Sequence, residues 1–207
     1  MKKRYAAVLF DLLTGLIDSW SVWNRVAGDE AKGRRWRDEY LRMTYGCGEY
    51  QPYESLVRIA ARRAGLPEAL EQDLEAAWET LEPWEDALPV LHRLAKTYRL
   101  GVVTNCSQRL GRIAAKRVGV AFDVIVTAQR AGYYKPHPAP YKMAMRELNL
   151  RSKGVLFVAG SAFDLVGTAR VEVDTFWHNR VGLKRPEGTP PPLREERTLE
   201  QLFHDFE

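Results

Sequence analysis

Four uninterrupted apolar runs punctuate the chain: residues 5–10 (YAAVLF), 100–103 (LGVV), 124–126 (VIV) and 155–158 (VLFV). Runs of this kind suit strands buried on both faces of a parallel sheet. A weaker fifth, 175–177 within VDTFW, follows them. Between the runs, apolar positions recur with helical spacing over about 84–98, 109–118, 138–149 and 163–171. Strands alternating with helices predict an α/β fold built on a doubly wound, mainly parallel sheet of Rossmann-like type.

The first crossover is too long for that scheme. From residue 18 to about 81 no strand-like run occurs, and helical patches fall near 19–27, 30–45, 52–64 and 67–81, with Gly28, the GCG at 46–48 and Gly65-Leu66-Pro67 between them. An insertion of this size after the first strand predicts a helical cap domain of residues 18–81 on an α/β core of residues 1–17 and 82–207. It would sit above the strand carboxyl ends, where open α/β sheets bind ligands. Trp36, Tyr40 and Met43 stand at i, i+4 and i+7, the spacing of a buried helical stripe. Past Arg180 the chain reads as an irregular loop through Gly-Thr-Pro-Pro-Pro, then a short terminal helix over about 199–206.

Composition changes this picture little. At 207 residues, 45% hydrophobic and 28% charged, the chain is of ordinary globular type, which excludes disordered and collagen-like classes. Its net charge of +4 comes from scattered Lys and Arg, without a basic stripe interleaved with stacking aromatics, so no nucleic-acid partner is expected. From 66 to 86 there are eight acids and no Lys or Arg, which reads as a solvated helix face. Cys47 and Cys106 suit free thiols, and the four histidines show no metal spacing. The opening MKKRYAAVLFDLLTGLI has the outline of a signal peptide, but Asp11 interrupts its apolar run. With no apolar run of membrane-spanning length, the expectation is a cytoplasmic protein without a membrane partner.

Four polar features fall at or just past the ends of predicted strands: Asp11, Thr104-Asn105, Lys135 in YYKPHPAPY, and Asp164 in VLFVAGSAFD. A doubly wound sheet brings these ends to one crevice. An Asp beside a Lys ammonium has the makings of a carboxylate nucleophile.

Taken together, FDLLTGLIDSW, VVTN, KPHPAPY and AGSAFD resemble the four motifs of the haloacid dehalogenase superfamily, over nearly the whole chain, with the 2-haloacid dehalogenase branch most similar. The resemblance implies that Asp11 is a nucleophile forming a covalent ester and that Lys135 and Asp164 support its hydrolysis. It implies that Arg37, within WRDEYL, receives the departing halide. The other reading of Arg37 is a solvated residue among Arg34, Arg35 and Arg42. Thr104 would hold the substrate carboxylate and Asn105 would orient the nearby loop. Tyr141 would hydrogen-bond within the site, its other reading being a core aromatic at a helix start. Apart from the resemblance, Trp20, just beyond the nucleophile loop, reads either as part of a helical core stripe or as the wall of an apolar pocket for a small substrate, and Leu13 as a substrate contact. Where this branch carries Ser-Ser-Asn, the chain has Ala159-Gly160-Ser161, so Ser161 stands where an Asn would position the hydrolytic water. The order Thr14-Gly15 is also reversed relative to the branch.

The superfamily's phosphatases place an Asp two residues after the nucleophile to protonate the leaving alkoxide, and two acids in the fourth motif for Mg²⁺. Leu13 and Gly160 stand at two of these positions. A halide leaves without a proton, so the expected substrate is a small 2-halocarboxylic acid and no metal or other cofactor is expected. Restoring Asp at Leu13 and Gly160 is expected, where the scaffold allows it, to raise Mg²⁺ affinity and any trace phosphatase activity. The alternatives are a Mg²⁺-dependent small-molecule phosphatase and a non-catalytic ligand-binding module on the same fold. The sequence leaves the oligomeric state open, with a homodimer among the compatible states.

Overall fold

A computed structural model describes residues 4–205. One sheet contains β1 (Ala7–Phe10), β2 (Arg99–Thr104), β3 (Val124–Thr127), β4 (Val155–Ala159), β5 (Asp174–His178) and β6 (Arg194–Glu196). The order is β3-β2-β1-β4-β5-β6, and every neighbouring pair is parallel. Phe10 of β1 lies level with Val102 of β2 and Val158 of β4. The residues that follow these strands therefore emerge side by side where the winding order reverses, the place such sheets keep for a ligand.

Each central strand is buried on both sides and splits its residues between two apolar layers. Val8, Phe10, Leu100, Val102, Leu156 and Val158 enter one layer; Ala7, Leu9, Val103, Val155, Phe157 and Ala159 enter the other. This explains why the strands read as unbroken apolar runs rather than as alternating ones.

Between β1 and β2 lie α1 (Ser19–Ala27), α2 (Glu30–Gly46), α3 (Tyr53–Arg63), α4 (Leu70–Ala76) and α5 (Ala87–Ala95). Asp18 caps α1 by accepting from Ser21 N, and Gly28, at φ 90°, ends it in the left-handed conformation. The buried stripe expected on α2 forms around Trp36 and Tyr40. The Trp23 and Trp36 rings meet edge-on at 4.7 Å, Tyr40 meets Tyr53 at 5.3 Å, and Trp36 Nε1 donates to Val57 O. This aromatic cluster is continuous with the apolar layer under α5 and α6 (Gln108–Arg117). The opposite layer is covered by α8 (Pro138–Glu147) and α9 (Asp164–Arg170), and the short α7 (Ala128–Ala131) follows β3.

Three expectations need correction. The patch over 67–81 divides into α4 and a 3₁₀ turn at Ala77–Thr80. The helix expected over 84–98 is shorter at both ends: before it Pro83 bridges to Ile17, and after it the chain must turn to enter β2 at Arg99. The tail is not wholly irregular. Arg194–Glu196 adds a parallel edge strand to β5, then a 3₁₀ turn spans Leu199–Asp205; residue 206 of the expected helix lies outside the described residues. Three charged residues carry no hydrophobic pattern, and charge is a usual guard on an edge strand. Cys47 and Cys106 are free. Among the described residues no helix is long and apolar enough to cross a membrane.

Candidate active site

The residues after the strand ends converge as the winding requires. Asp11 directly follows β1, and its N–H donates to Val158 O of the neighbouring strand at 2.9 Å. Its Oδ2 accepts from Thr14 N and Gly15 N at 3.2 and 3.1 Å, while Oδ1 accepts from Lys135 Nζ at 2.7 Å. Lys135 Nζ also lies 3.0 Å from Asp164 Oδ1, which accepts from the Tyr141 phenol at 2.8 Å. Asp11, Lys135, Asp164 and Tyr141 are all buried. Burial raises the Asp164 carboxyl to about 6, against the opposing pull of Lys135. Burial works against the Lys135 ammonium too, but Asp11 and Asp164 outweigh it and leave its pKa above the ordinary lysine value.

Asn105 fixes the loop that delivers this lysine. Its Nδ2 donates to Lys135 O at 3.0 Å, and Lys135 N donates to Asn105 Oδ1 at 2.7 Å. Two amide contacts of opposite polarity determine where the ammonium stem begins.

Helix α2 closes the other side. Arg37, Leu41 and Tyr45, at i, i+4 and i+8, face a cavity of about 50 Å³, whose remaining walls are Asp11, Leu13, Thr14, Tyr40, Thr104, Asn105, Lys135, Ser161 and Asp164. That volume holds only a few water-sized spheres, so it suits a molecule of a few heavy atoms. Arg37 is buried, which settles its two readings against solvation. Its Nη1 donates to Ser19 Oγ at 2.7 Å and its Nη2 to Thr14 Oγ1 at 2.8 Å, and its Cζ lies 4.0 Å from the centre of the Trp20 ring. No carboxylate pairs with it among the ion pairs of the described residues. A buried guanidinium held only by neutral groups is a ready anion site.

Thr104, Asn105, Ser161 and Leu13 line the cavity as expected. Thr104 Oγ1 is buried without a partner. Tyr141 hydrogen-bonds within the site, giving its phenol to Asp164, and it is also packed in the apolar layer below. Trp20, expected as a pocket wall, is the platform under Arg37 and does not line the cavity. The site residues not anticipated are Thr14, Ser19, Tyr40, Leu41 and Tyr45. Ser19 Oγ accepts from Arg37 and donates to Leu13 O, and the Tyr40 phenol donates to Asn105 O at 2.9 Å. His137 caps α8 and stacks on Tyr133 rather than reaching the crevice.

The donor set is poor for Mg²⁺: Lys135 Nζ already engages Oδ1 of both Asp11 and Asp164, and Leu13 and Gly160 contribute no carboxylate. A Cβ on Gly160 would lie 2.2 Å from Gly15 N and 2.6 Å from Thr14 C, so no acidic side chain can stand there without moving the nucleophile loop. The expected gain in Mg²⁺ affinity required a scaffold that admits both carboxylates, and at Gly160 this one does so only if that loop shifts. Gly15 is similarly confined, since a Cβ there would lie 2.3 Å from Asp11 O. Among the described residues no cluster of three or more His, Cys, Asp or Glu could hold a metal ion.

Residues 8–178 match the family model described as haloacid dehalogenase-like hydrolase. The chain is 27% identical over 225 residues to an (S)-2-haloacid dehalogenase of a Pseudomonas species (strain YL), with 97% of this chain and 94% of the relative covered. It superposes on a solved L-2-haloacid dehalogenase with a TM-score of 0.87 at 26% identity, covering 98% of both chains. It shares its fold (TM-score 0.84, 20% identity, 96% of both chains) with the Xanthobacter autotrophicus L-2-haloacid dehalogenase that carries covalently bound chloropropionic acid.

Proposed function

The chain belongs to the haloacid dehalogenase-like hydrolase family, and from that membership we propose that it hydrolyses the carbon–halogen bond of short 2-halocarboxylic acids. The observation that carries this reading is Arg37, a buried cation without a carboxylate partner, across a small cavity from the Asp11–Lys135 pair.

In this reading residues 18–81 are a cap on the α/β core, and its part in the chemistry is to bring Arg37 over the strand ends. The substrate carboxylate docks at Thr104, whose hydroxyl has no other partner. A carboxylate oxygen of Asp11 attacks C2 in line, an O–C bond forms, and the halide leaves with the bonding pair toward Arg37. Leu13, at the acid position of the superfamily's phosphatases, suits a leaving group that needs no proton. Water then adds to the ester carbonyl carbon of Asp11. Asp164 takes its proton, and the 2-hydroxy acid leaves with the oxygen that Asp11 contributed. One inversion at C2 and none in the second step turn an (S)-halide into an (R)-hydroxy acid. The (S) preference is taken over from the name of the similar Pseudomonas protein. The mechanism uses no cofactor and no residue from a second chain, and it operates in the cytoplasm.

The test is parallel measurement of halide and phosphate release over a panel of short 2-haloacids and phosphomonoesters, with EDTA and with millimolar Mg²⁺. The expected result is halide release insensitive to EDTA, little phosphate, and no turnover by Asp11→Asn. Robust Mg²⁺-dependent phosphate release without halide release would overturn the proposal in favour of the phosphatase alternative.

A further inference from the structure

The turn after β4 is gripped by a side chain from the helical insertion. The Tyr45 phenol, at the end of α2, lies 2.9 Å from Ser161 Oγ, and its ring stacks on Phe163 with centroids 4.0 Å apart at 29°. The same Ser161 Oγ accepts from Phe163 N at 3.2 Å, and Ser161 O accepts from Asp164 N at 3.1 Å. Tyr45 thus holds the segment that delivers Asp164 at two points, one polar and one aromatic.

The two oxygens of Asp164 differ. Oδ1 is engaged by Lys135 and Tyr141. Oδ2 is buried without a partner, on a residue that lines the cavity. A buried carboxylate oxygen left open is costly unless a ligand or water meets it. The hydroxyl chemistry of Ser161 supplies the complementary group. Either hydroxyl can donate in this pair; with Tyr45 as the donor, Ser161 is the acceptor. Ser161 then accepts from both Tyr45 and Phe163 N, and its own O–H is left to be given into the cavity.

We propose that Tyr45 is a positioning residue for the second half of the reaction, acting through Ser161, whose hydroxyl together with Asp164 Oδ2 holds the attacking water. This rests on the dehalogenase reading. The water accepts from Ser161 Oγ–H and donates to Asp164 Oδ2, which leaves a lone pair for the ester carbonyl carbon of Asp11. The O–C bond forms as the proton passes to Asp164. The tetrahedral adduct then expels the 2-hydroxy acid oxygen, which takes that proton, and the second water proton stays on the regenerated Asp11 carboxyl until it dissociates. Ester formation and halide departure need none of these groups.

The test is Tyr45→Phe, which keeps the ring on Phe163 and removes the phenol oxygen. Turnover of a short 2-haloacid should fall on the order of tenfold in kcat, the effect of one hydrogen bond. kcat/KM should stay unchanged, because it ends at irreversible halide release. Halide should appear in a burst stoichiometric with enzyme, and intact-protein mass after rapid quench should show the ester adduct accumulating above its wild-type level. Ser161→Ala should behave alike, and the double variant should be no slower than Ser161→Ala alone. Wild-type-like adduct levels in Tyr45→Phe, equal losses in kcat and kcat/KM, or additive losses in the double variant would overturn the role of Tyr45. Wild-type protein that releases no halide and forms no adduct would instead overturn the dehalogenase reading on which it rests.

Discussion

Replacing Arg37 by Met keeps a long unbranched side chain and removes the charge. The structure predicts that activity and stability then part company. Arg37 gives hydrogen bonds to Ser19 and Thr14 and sits over the Trp20 ring. Hydrogen bonds from a charged donor contribute about 1.5–3 kcal/mol each, and a guanidinium over an indole about 0.5–2 kcal/mol. Against these stands the cost of burying a cation without a carboxylate partner, which is also several kcal/mol and is relieved by an apolar replacement. Burial also lowers the Arg37 pKa from its ordinary value, in keeping with that cost. Opposing terms of similar size leave a net change on the order of 1 kcal/mol, or about 2–4 °C in Tm for a chain of this length. Turnover should fall by about 10²–10³-fold, as when one preorganised donor to a developing anion is lost. Steady-state halide release measures the second effect and thermal unfolding the first. Unfolding with added bromide separates the anion site from general packing. Wild-type protein should gain stability as bromide saturates the site, by about 2.7 kcal/mol at a hundred times its Kd, and Arg37→Met should gain none. A variant whose kcat/KM stays within about threefold of wild type, or an equal bromide shift in both proteins, would refute the assignment of Arg37 as the halide acceptor.

The Asp164 carboxyl, raised by burial to about 6 in the free enzyme, must be ionised to accept a proton from water, and the neutral Asp11 ester lowers it from there, so kcat should fall in acid with a midpoint below about 6; a kcat that climbs as pH falls below 6 would remove Asp164 from that role. The same shift has a sign for folding. Because the folded state holds this proton more tightly than the unfolded chain, its contribution to stability is fully present below the ordinary carboxyl value of 3.8 and is lost as pH rises through about 6, which thermal unfolding of wild type against Asp164→Asn would register as a difference in slope over that window. Gly160→Asp should lower stability by about 1–3 kcal/mol through overpacking against the nucleophile loop. It should also cost on the order of 10²-fold in turnover through displacement of Asp11, without any gain in Mg²⁺ binding by calorimetry; a variant of wild-type stability that binds Mg²⁺ would show that the loop yields.

Much of the core was legible because its chemistry is tied to strand ends. Asp11 and Thr104 directly follow apolar runs, Asp164 and Lys135 follow theirs by six and nine residues, and parallel winding sends all such ends to one edge of the sheet. The cap half of the site was legible only in part. Arg34, Arg35, Arg37 and Arg42 look alike along the chain, yet Arg37 alone among them is buried. Trp36 and Tyr40 direct one face of α2 into the aromatic core, and Arg37, Leu41 and Tyr45 occupy the adjacent stripe that overhangs the strand ends. That second stripe is mixed in polarity, so hydrophobic periodicity alone does not reveal it. Tyr45 meets Ser161 across 116 residues of chain, a juxtaposition that local patterns cannot encode. Trp20 shows the converse. Its place just beyond the nucleophile loop suggested a pocket wall, but its ring is spent on supporting the guanidinium behind that wall.

The arrangement of charge explains how such a site can work without a divalent ion. Asp11 and Asp164 are balanced by Lys135 and Arg37, and the two cations differ in their partners: Lys135 touches both carboxylates, whereas Arg37 touches two hydroxyls and the Trp20 ring. In the proposed displacement the negative charge that begins on Asp11 ends on the halide, so it travels from the cation that is already paired to the one that is not. Stabilisation by Arg37 therefore grows along the reaction coordinate while that by Lys135 declines, which is the difference between ground state and transition state that accelerates a step. Once the halide has gone, Asp11 is a neutral ester and Lys135 faces Asp164 alone. That pairing favours the ionised form of Asp164 just when a proton acceptor is needed, and the formation of the ester itself thus prepares its own hydrolysis.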